Sequence, residues 1–457
     1  MNKILKEPDP GADFRRQWSR QNRYALGGDL LPDESSTLER DTSVILRQAG
    51  TNPPWLAMRA GSGAFLESVT GQILLDLHGN NCHHVGYAHP DLTAALSWQM
   101  REISFVPRGV TNPEVVVAAE KLLAAWPYGP GVVAFVPGGS AAVELAIMLC
   151  RAHTGRYKLA SFYGAYHGRS AGALSLGGRP RDRAPRLGPL LPGVLHVRPF
   201  FPLPSEREFD AEAGARRSLQ DLAYCFEQEG DIAALFAEPI RNGPFRPPDW
   251  YWPEVRALCS RHGTLLVSDE IPTGLGKTGK LFVTEHFGIS PDVTLIGKAL
   301  GGALIPVAAV IAKAELNSTA DLNLGYFTYE RSPMMARAAA TILDIIAGEE
   351  LVARAAELGA AALKRLRAVA ALRPAIQEIR GAGLMLGLQA YDLAGGGHDA
   401  LAHRIFQECL CRGLLVQYPM GARLTLSFPL RVDRPLIEEA IDVFAAAVDA
   451  AVAVGEC

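Results

Sequence analysis

Two segments decide the fold of this 457-residue chain: LLVSDEIPTGLGKTGKLF at residues 265–282 and PDVTLIGKALGG at residues 291–302. Each contains a short apolar run that predicts a buried β-strand. The first run delivers a carboxylate, Asp269, and the second delivers an amine, Lys298. A buried lysine without a partner is costly, so we predict that Lys298 serves a chemical site and not packing. The alternative for Asp269 is a turn or helix N-cap.

A carboxylate and an amine at the carboxyl ends of two strands can hold the two reactive ends of pyridoxal phosphate. The amine of Lys298 would link to the aldehyde, and Asp269 would keep the ring nitrogen protonated, which makes the ring an electron sink. Gly139 and Ser140 follow another apolar run and open a helical one, and the N-terminus of a helix suits a phosphate. Ser140 could equally be only a helix N-cap.

The pattern from about residue 130 to 313 predicts an α/β fold, because short apolar runs alternate with helical runs. Such strands are typical of a mainly parallel sheet that is buried on both faces. We predict three parts: residues 1–79, an N-terminal arm and hairpin that belong to a small domain; residues 80–332, a large cofactor-binding domain; and residues 333–457, a C-terminal small α+β domain. The Arg- and Pro-rich stretch 178–216 is expected to be a long excursion near the active site. The strands are predicted at 132–137, 158–163, 233–240, 264–270, 292–297 and 307–312.

Composition narrows the class of protein. The net charge of −3 gives no indication of a nucleic-acid partner. We expect no membrane span, because no run of 18 uncharged apolar residues occurs. The first residues lack the apolar core of a secretory signal, and seven scattered cysteines form no disulfide pattern. The expectation is a reduced, cytoplasmic enzyme.

Six motifs carry a family resemblance: PGGSAAVELA, FYGAYHGRS, FAEPI, VSDEIPTGLGKTGKLF, PDVTLIGKALGG and TYERSPMMARAAA. With them the chain resembles the class III aminotransferases, within the fold-type I pyridoxal-phosphate enzymes, from about residue 60 to 430. The resemblance implies a large domain with a mainly parallel seven-stranded sheet and a smaller α+β domain. It also implies a small-molecule amine substrate.

Carried over position by position, the resemblance implies how the cofactor ring is held. Lys298 would link covalently to the cofactor, and Asp269 would bind the ring nitrogen. Tyr166 would stack on the front of the ring, and Ile271 would pack behind it. Glu238 would lie near the ring hydroxyl and the lysine.

The resemblance also implies a homodimer with shared active sites. Gly139 and Ser140 would hold the cofactor phosphate of their own subunit. Thr328 would reach the phosphate of the neighbouring subunit.

Three positions depart from the family pattern. Pro272 stands where most members carry Gln, and Glu330-Arg331 replaces a Gly-Gly pair. Many members carry an arginine that grips the substrate α-carboxylate at the position of Thr425. Arg423 lies two residues away on the same strand face, roughly 7 Å along it. These departures argue against a standard transaminase that uses α-amino acids or glutamate.

The segment HGNNCHHVGYAHP at residues 78–90 resembles the ethanolamine-phosphate phospholyase branch, and still more the ammonia-lyases that act on hydroxylated aminoethylphosphonate. In that branch the active-site lysine removes a proton from the amine-bearing carbon, a group on the next carbon leaves, and the enamine hydrolyses to an aldehyde and ammonia. Asn80, Asn81 and Arg108 are candidate ligands of the substrate hydroxyl and phosphonate, and Arg423 is a further candidate.

The lead hypothesis is therefore an ammonia-lyase that forms phosphonoacetaldehyde from 2-amino-1-hydroxyethylphosphonate. The second is an aminotransferase that moves an amino group from a small amine to a keto acid. The third is a non-catalytic homologue, disfavoured because Lys298 and Asp269 are both present. His83 and His84 could suggest a metal, but without further ligands at suitable spacing they are interpreted as pocket lining or structure.

Overall fold

The computed structural model describes residues 14–18, 32–48, 55–203, 209–393 and 397–453. In chain order, its strands are β1 (Met58–Ser62), β2 (Phe65–Ser68), β3 (Ile73–Leu77), β4 (Gly131–Val136), β5 (Lys158–Phe162), β6 (Val194–Val197), β7 (Ile232–Ala237), β8 (Leu265–Asp269), β9 (Val293–Ile296), β10 (Ala308–Lys313), β11 (Ile376–Ala382), β12 (Met385–Ala390), β13 (Leu414–Val416) and β14 (Arg423–Ser427). Its longer helices are α1 (Pro32–Val44), α2 (Pro90–Glu102), α3 (Pro113–Ala125), α4 (Gly139–Thr154), α5 (Ala171–Leu176), α6 (Ala211–Glu229), α7 (Tyr251–His262), α8 (Pro333–Gly348), α9 (Leu351–Ala371), α10 (His398–Cys411) and α11 (Arg434–Ala453).

The central element is a seven-stranded sheet with the strand order β4-β10-β9-β8-β7-β5-β6. Strands β6, β5, β7, β8 and β9 run parallel to one another. Strand β10 runs antiparallel to both of its neighbours, β4 and β9. The predicted α/β class with a mainly parallel seven-stranded sheet is therefore confirmed.

Both faces of this sheet are covered, as the apolar runs predict. All six residues of β7, IAALFA, are buried. Its neighbouring residues Leu235 and Phe236 belong to separate hydrophobic clusters, because successive side chains of a strand point to opposite faces. Helix α4 packs against β7, β9 and β10, while α7 packs against β8. This double cover explains why the central strands show no alternation of polar and apolar residues.

The sequence predicts that the stretch 178–216 is a long excursion. The structure differs from this prediction, because the stretch contains strand β6. This strand pairs parallel with β5 at the edge of the sheet. It has only four residues, and three of them are half-buried. A short edge strand inside an Arg- and Pro-rich stretch has too weak an apolar pattern to be recognised. Residues 204–208 lie outside the described residues.

Two smaller sheets accompany the central one. The hairpin predicted within residues 1–79 is confirmed, since β2 and β3 pair antiparallel. Strand β13, which the sequence did not predict, pairs parallel with β3 and joins the C-terminal and N-terminal parts of the chain in one sheet. Trp18 is buried and donates its indole N–H to the carbonyl of Gly413, 2.7 Å away. The domain limits 1–79, 80–332 and 333–457 remain a prediction.

The remaining sheet, β11-β12-β14, is covered by amphipathic helices. The buried side of α9 includes Leu358, Ala362 and Leu366, which recur at four-residue spacing. Its exposed Glu357 pairs with Arg434 of α11 at 3.0 Å. Among the described helices, none has the length and apolar character that a membrane span requires.

Candidate active site

The parallel strands deliver five chemically useful residues to one edge of the central sheet. Asp269 ends β8, and Lys298 follows β9 after a single glycine. Glu238 directly follows β7, while Tyr166 and His167 lie in the turn after β5. The carboxyl ends of parallel strands form the ligand-binding edge of an open α/β sheet. Residues far apart in sequence therefore meet here.

Asp269 is held by two hydrogen bonds from the protein. Its Oδ2 lies 2.7 Å from Nδ1 of His167, and its Oδ1 accepts from the backbone N–H of Ile271 at 3.2 Å. Because an ionised carboxylate only accepts hydrogen bonds, the imidazole carries its proton on Nδ1. Both side chains are buried. The carboxylate is thus fixed in orientation before any ligand binds.

Lys298 has an unusual backbone conformation and a perturbed side chain. Its φ of 48° lies in the left-handed region, a strain of roughly 1–3 kcal/mol that is typical of functional sites. Burial lowers the pKa of its amine, while the charges of Asp269 and Glu238 raise it in part. A lowered pKa increases the fraction of neutral amine, which is the form that attacks an aldehyde.

The first turn of α4 forms an open cradle. Helix α4 begins at Gly139, and no side chain caps the preceding Gly138. A Cβ on Gly139 would lie 3.1 Å from Cδ1 of Ile271, so the glycine lets Ile271 approach the turn closely. Ser140 Oγ accepts from the backbone N–H of Arg169 at 3.0 Å, which ties the turn after β5 to the helix. The N-terminus of this 16-residue helix suits a phosphate.

Glu238 forms a buried ion pair that the sequence did not predict. Its Oε1 lies 2.9 Å from Nη1 of Arg241, and both side chains are less than a tenth exposed. Its Oε2 accepts from the backbone N–H of Tyr166 at 3.3 Å. Arg241 also donates to the carbonyl of Gly164 at 3.1 Å. The pair therefore fixes the turn that carries Tyr166.

The chemistry of these groups, and the order in which the strands bring them to the edge of the sheet, fit pyridoxal phosphate. The open N–H groups at Gly139 and Ser140 suit the phosphate, and a buried carboxylate at Asp269 suits a protonated ring nitrogen. Lys298 supplies an amine for the aldehyde. Nε2 of His167 is buried and has no hydrogen-bond partner among the described residues, so the polar network there is incomplete without a further group or water.

The segment 78–82 lies beside Lys298. The turn Gly79–Asn81 packs against the turn that begins at Lys298. Burial raises the pKa of the Cys82 thiol, and the charge of Lys298 partly opposes this. Asn81 is buried and accepts from the hydroxyl of Ser427 at 2.6 Å, whereas Asn80 is exposed. Both asparagines therefore lie in the turn that packs against the Lys298 turn.

The other predicted site residues, Thr328, Arg108 and Arg423, have different neighbours from the residues described above. Thr328 is exposed in the loop that carries Tyr326 and Glu330. Arg108 donates to the carbonyl of Tyr326 at 2.7 Å and lies 3.7 Å from the carboxylate of Glu330. Arg423 donates to the carbonyl of Leu203 at 3.0 Å. The structure thus groups Arg108 with Thr328, while Arg423 lies at the start of β14.

His83 and His84 are buried, and each ring bonds a backbone carbonyl. His83 Nε2 lies 3.1 Å from the carbonyl of Asp76, and His84 Nε2 lies 3.2 Å from that of Gly274. Burial lowers the pKa of His83 to about 4 and that of His84 well below its usual value, which keeps both rings neutral. Within the described ranges, no group of three or more His, Cys, Asp or Glu residues could hold a metal ion.

Sequence reasoning missed two residues of the constellation, His167 and Arg241. His167 follows β5 and Asp269 ends β8, so their positions at strand ends were the available signal for a contact. Arg241 lies three residues after Glu238, a spacing that suits an ion pair only when the chain turns between them. That turn, closed by two hydrogen bonds between Arg241 and Phe245, is visible only in three dimensions.

Comparisons with known proteins agree with this geometry. The family model for class III aminotransferases matches residues 46–448. The chain is 34% identical to the (R)-1-hydroxy-2-aminoethylphosphonate ammonia-lyase of Vibrio splendidus over 90% of this chain and 89% of the relative. It is 31% identical to the acetylornithine aminotransferase of Mycobacterium leprae over 93% of this chain and 98% of the relative.

A solved structure extends the comparison to the cofactor. An amine transaminase from an uncultivated Pseudomonas species, in its PLP-bound form, superposes with a TM-score of 0.80 at 28% identity. The match covers 90% of this chain and 97% of that one. Together with the family match, these findings establish that the chain belongs to the class III aminotransferase family and is an enzyme whose cofactor is pyridoxal 5'-phosphate.

Proposed function

We propose that this enzyme is an ammonia-lyase that converts 2-amino-1-hydroxyethylphosphonate into phosphonoacetaldehyde and ammonia. The observation that carries the proposal is the contact between the turn Gly79–Asn81 and the turn at Lys298. That segment carries the resemblance to ammonia-lyases and phospholyases. The 34% identity to an ammonia-lyase of this substrate class supports the same reaction.

Strand β14 supports a reaction without a keto-acid acceptor. Thr425 is buried and pairs with Gly387 of β12. In many family members an arginine at this position grips the α-carboxylate. Threonine has one hydroxyl and no charge, so it cannot form the paired bonds of an arginine with a carboxylate. A lyase has no need to bind 2-oxoglutarate.

In the proposed reaction, Lys298 moves the proton. When bound, the cofactor supplies an electron sink for the carbanion at the amine-bearing carbon of the substrate. The neutral amine of Lys298 removes the proton from that carbon, and the resulting ammonium returns it to the hydroxyl on the neighbouring carbon, which leaves as water. Asn80 and Asn81, in the turn beside Lys298, would orient this hydroxyl. Water then hydrolyses the released enamine to the aldehyde and ammonia.

The cofactor roles are part of the same proposal. Lys298 forms the covalent link, Asp269 holds the ring nitrogen, and His167 orients Asp269. Five further residues complete the ring and phosphate contacts, and Thr328 of each subunit reaches the other subunit's phosphate. Those five residues are Gly139, Ser140, Tyr166, Glu238 and Ile271.

An aminotransferase is the second candidate. It is supported by the 31% identity to acetylornithine aminotransferase, which extends over almost the whole of both chains. Both reactions begin with proton removal by Lys298. They differ in whether the substrate carries a leaving group and whether an acceptor is required.

We also propose a homodimer, supported by several exposed apolar side chains. Trp98, Met100, Phe105, Tyr326 and Tyr329 are all more than 40% exposed. The rings of Phe105 and Tyr329 meet edge to face with centroids 5.6 Å apart. Exposed aromatic residues that cluster in this way are typical of protein interfaces. The same surface contains Thr328, so a partner bound here would bring Thr328 close to a second subunit.

A cytoplasmic location is the remaining proposal. Cys150, Cys259 and Cys409 are buried free thiols, which suits a reducing compartment. Fractionation of cells that express the tagged protein checks it, and recovery outside the cytoplasmic fraction would contradict it.

The first prediction concerns the reaction. Purified holoenzyme incubated with racemic 2-amino-1-hydroxyethylphosphonate, without any keto acid, should release ammonia and phosphonoacetaldehyde in equal amounts. Ammonia is measured with a coupled dehydrogenase and the aldehyde by derivatisation. Turnover only after addition of pyruvate, with alanine as a product, would instead establish the aminotransferase.

The second prediction concerns Lys298. Lys298→Ala should abolish turnover and the visible absorbance of the lysine-linked cofactor, because no other amine is proposed for the link. Absorbance spectra before and after borohydride reduction, with mass spectrometry of the labelled peptide, measure this. Lys280→Ala is the matched control, since Lys280 is exposed in the same segment. A reduced cofactor found on another lysine of the wild type would disprove the assignment.

The third prediction separates positioning from packing at His167. His167→Ala should lower kcat by roughly 10- to 100-fold at nearly constant KM, because a hydrogen bond to a charged group contributes about 1.5–3 kcal/mol. His167→Asn should restore part of the rate, since its amide can donate from nearly the same position as Nδ1. Equal losses in both variants, or a loss that follows thermal stability alone, would mean that His167 only packs.

The fourth prediction concerns the dimer. Phe105→Asp combined with Tyr329→Asp should shift the protein from a dimer to a monomer in analytical ultracentrifugation, because two charges would be buried without partners. Leu372→Asp is the control, since Leu372 is 80% exposed and outside the cluster. An unchanged sedimentation coefficient in the double variant would exclude this surface as the interface.

A further inference from the structure

The side chain of Arg179 lies over the ring of Tyr166. Its guanidinium carbon is 4.2 Å from the centre of that ring, a distance at which a cation and an aromatic face attract one another. The guanidinium carbon of Arg169 lies 5.7 Å from the same centre. Tyr166 therefore borders two cations, and Arg179 is the closer one.

A glycine brings the start of the Arg- and Pro-rich stretch against the turn after β5. A Cβ on Gly178 would lie 2.2 Å from the carbonyl oxygen of Phe162, which is too close for any side chain. The backbone N–H of Gly178 donates to the carbonyl of Ala165 at 3.1 Å. Arg179 is the next residue, so the backbone places it beside the turn that carries Tyr166.

A buried carboxylate holds Arg179 in this position. Oδ2 of Asp182 lies 2.5 Å from Nε of Arg179, and Oδ1 of Asp182 lies 2.9 Å from Nη1 of Arg169. The side chain of Asp182 is only 1% exposed. Its backbone N–H donates to the carbonyl of Arg179 at 3.0 Å, which closes a tight turn between the two residues. One buried carboxylate thus fixes both arginines that border Tyr166.

The guanidinium of Arg179 is charged and mostly shielded from solvent. Its side chain is 17% exposed. Burial lowers the pKa of Arg179, and the hydrogen bond and charge of Asp182 oppose this, while the charges of Arg181 and Arg241 lower it further. An arginine keeps its charge at neutral pH even so. The attraction between this cation and the aromatic ring is stronger than it would be at an exposed site.

The backbone of Tyr166 is fixed by other contacts, and its ring is not. Its N–H donates to Oε2 of Glu238 at 3.3 Å, and the next residue, His167, bonds Asp269 at 2.7 Å. Among the described residues, no hydrogen bond orients the phenol hydroxyl. The contact with Arg179 is therefore the interaction that sets the direction of the ring.

We propose that Arg179, held by Asp182, is a positioning residue that fixes the ring of Tyr166 for stacking on the cofactor ring. The inference rests on the proposed contact between Tyr166 and the cofactor, and it holds for either candidate reaction. An aromatic ring has two faces, so a guanidinium on one face leaves the other for a flat ligand. A side chain that is ordered before binding adds no ordering cost when the ligand binds.

Cofactor binding measures this effect without turnover. Equilibrium dialysis of the holoenzyme against falling concentrations of pyridoxal 5'-phosphate gives the dissociation constant of the cofactor. Arg179→Gln should raise that constant by about 3- to 10-fold, because the ring of Tyr166 must then be ordered on binding. Arg179→Lys should recover part of the loss, since an ammonium keeps the attraction to the ring without the planar fork.

A double variant shows whether Arg179 acts through the ring. Tyr166→Leu removes the ring, so Arg179→Gln added to it should change the dissociation constant by less than about 2-fold. A residue that only stabilised the fold would cause the same loss in both backgrounds. The visible circular dichroism of the bound cofactor, which depends on how its ring is set, should likewise respond to Arg179→Gln only when Tyr166 is present.

Matched variants control for general charge and for folding. Arg186→Gln removes an exposed arginine of the same stretch, and it should bind the cofactor like the wild type. In Arg179→Gln the buried carboxylate of Asp182 keeps Arg169 as its partner, so no unpaired charge is left behind. If Arg179→Gln still fails to fold, Arg179→Lys replaces it, and its smaller loss should again vanish beside Tyr166→Leu.

The outcomes separate this inference from the proposed function. Weaker binding in Tyr166→Leu, with unchanged binding in Arg179→Gln, would overturn the inference alone. Additive losses in the double variant, or tighter binding after Arg179→Gln, would overturn it as well. Unchanged cofactor affinity in Tyr166→Leu would overturn the stacking role of Tyr166 and this inference together. Turnover that requires pyruvate would overturn the lyase and leave the positioning role of Arg179 intact.

Discussion

The hydrogen bond between His167 and Asp269 depends on one constraint, the parallel direction of the central strands. Asp269 ends β8 and His167 follows β5, yet β7 lies between these two strands. Strands two positions apart are separated by roughly 10 Å, so the bond crosses above the end of β7. Glu238, which follows β7, therefore lies between His167 and Asp269. One antiparallel strand at this point would send one of the three groups to the opposite edge.

The parallel direction of the central strands also brings several charged groups to one buried edge of the sheet, where an unpaired charge is costly. Two carboxylates, Asp269 and Glu238, and two cations, Lys298 and Arg241, lie at one buried edge. Arg241 compensates Glu238 directly, and the imidazole of His167 supports Asp269. Among the described residues no carboxylate forms an ion pair with Lys298, and burial lowers the pKa of its amine while the charges of Asp269 and Glu238 partly oppose this. A lowered pKa favours the neutral amine, which is the form that acts as a base and a nucleophile.

The sequence predicts which residues follow the central strands, because each strand end is marked by an apolar run followed by a polar residue. It predicts contacts between elements poorly. The strand-end positions of His167 and Asp269 are a signal for a contact, but the reach of the imidazole over β7 depends on the order of the strands in the sheet. Strand β6 was missed because its four edge residues, three of them half-buried, lack a periodic signal, and β13 because it has only three residues.

The proposed cofactor contacts and the proposed substrate contacts come from different parts of this fold. In the proposal, the central sheet supplies Asp269, Lys298 and the α4 cradle, which would serve any reaction that begins with proton removal beside an amine. The residues proposed to contact the rest of the substrate lie in the segment 78–82 and on the face of β14 that carries Arg423, Thr425 and Ser427. Threonine in place of arginine at position 425 changes the chemistry of that face and leaves the ends of the central strands unchanged. Under the proposed function, both candidate reactions share the lysine and its carboxylate, so the choice between them depends on residues outside the central sheet.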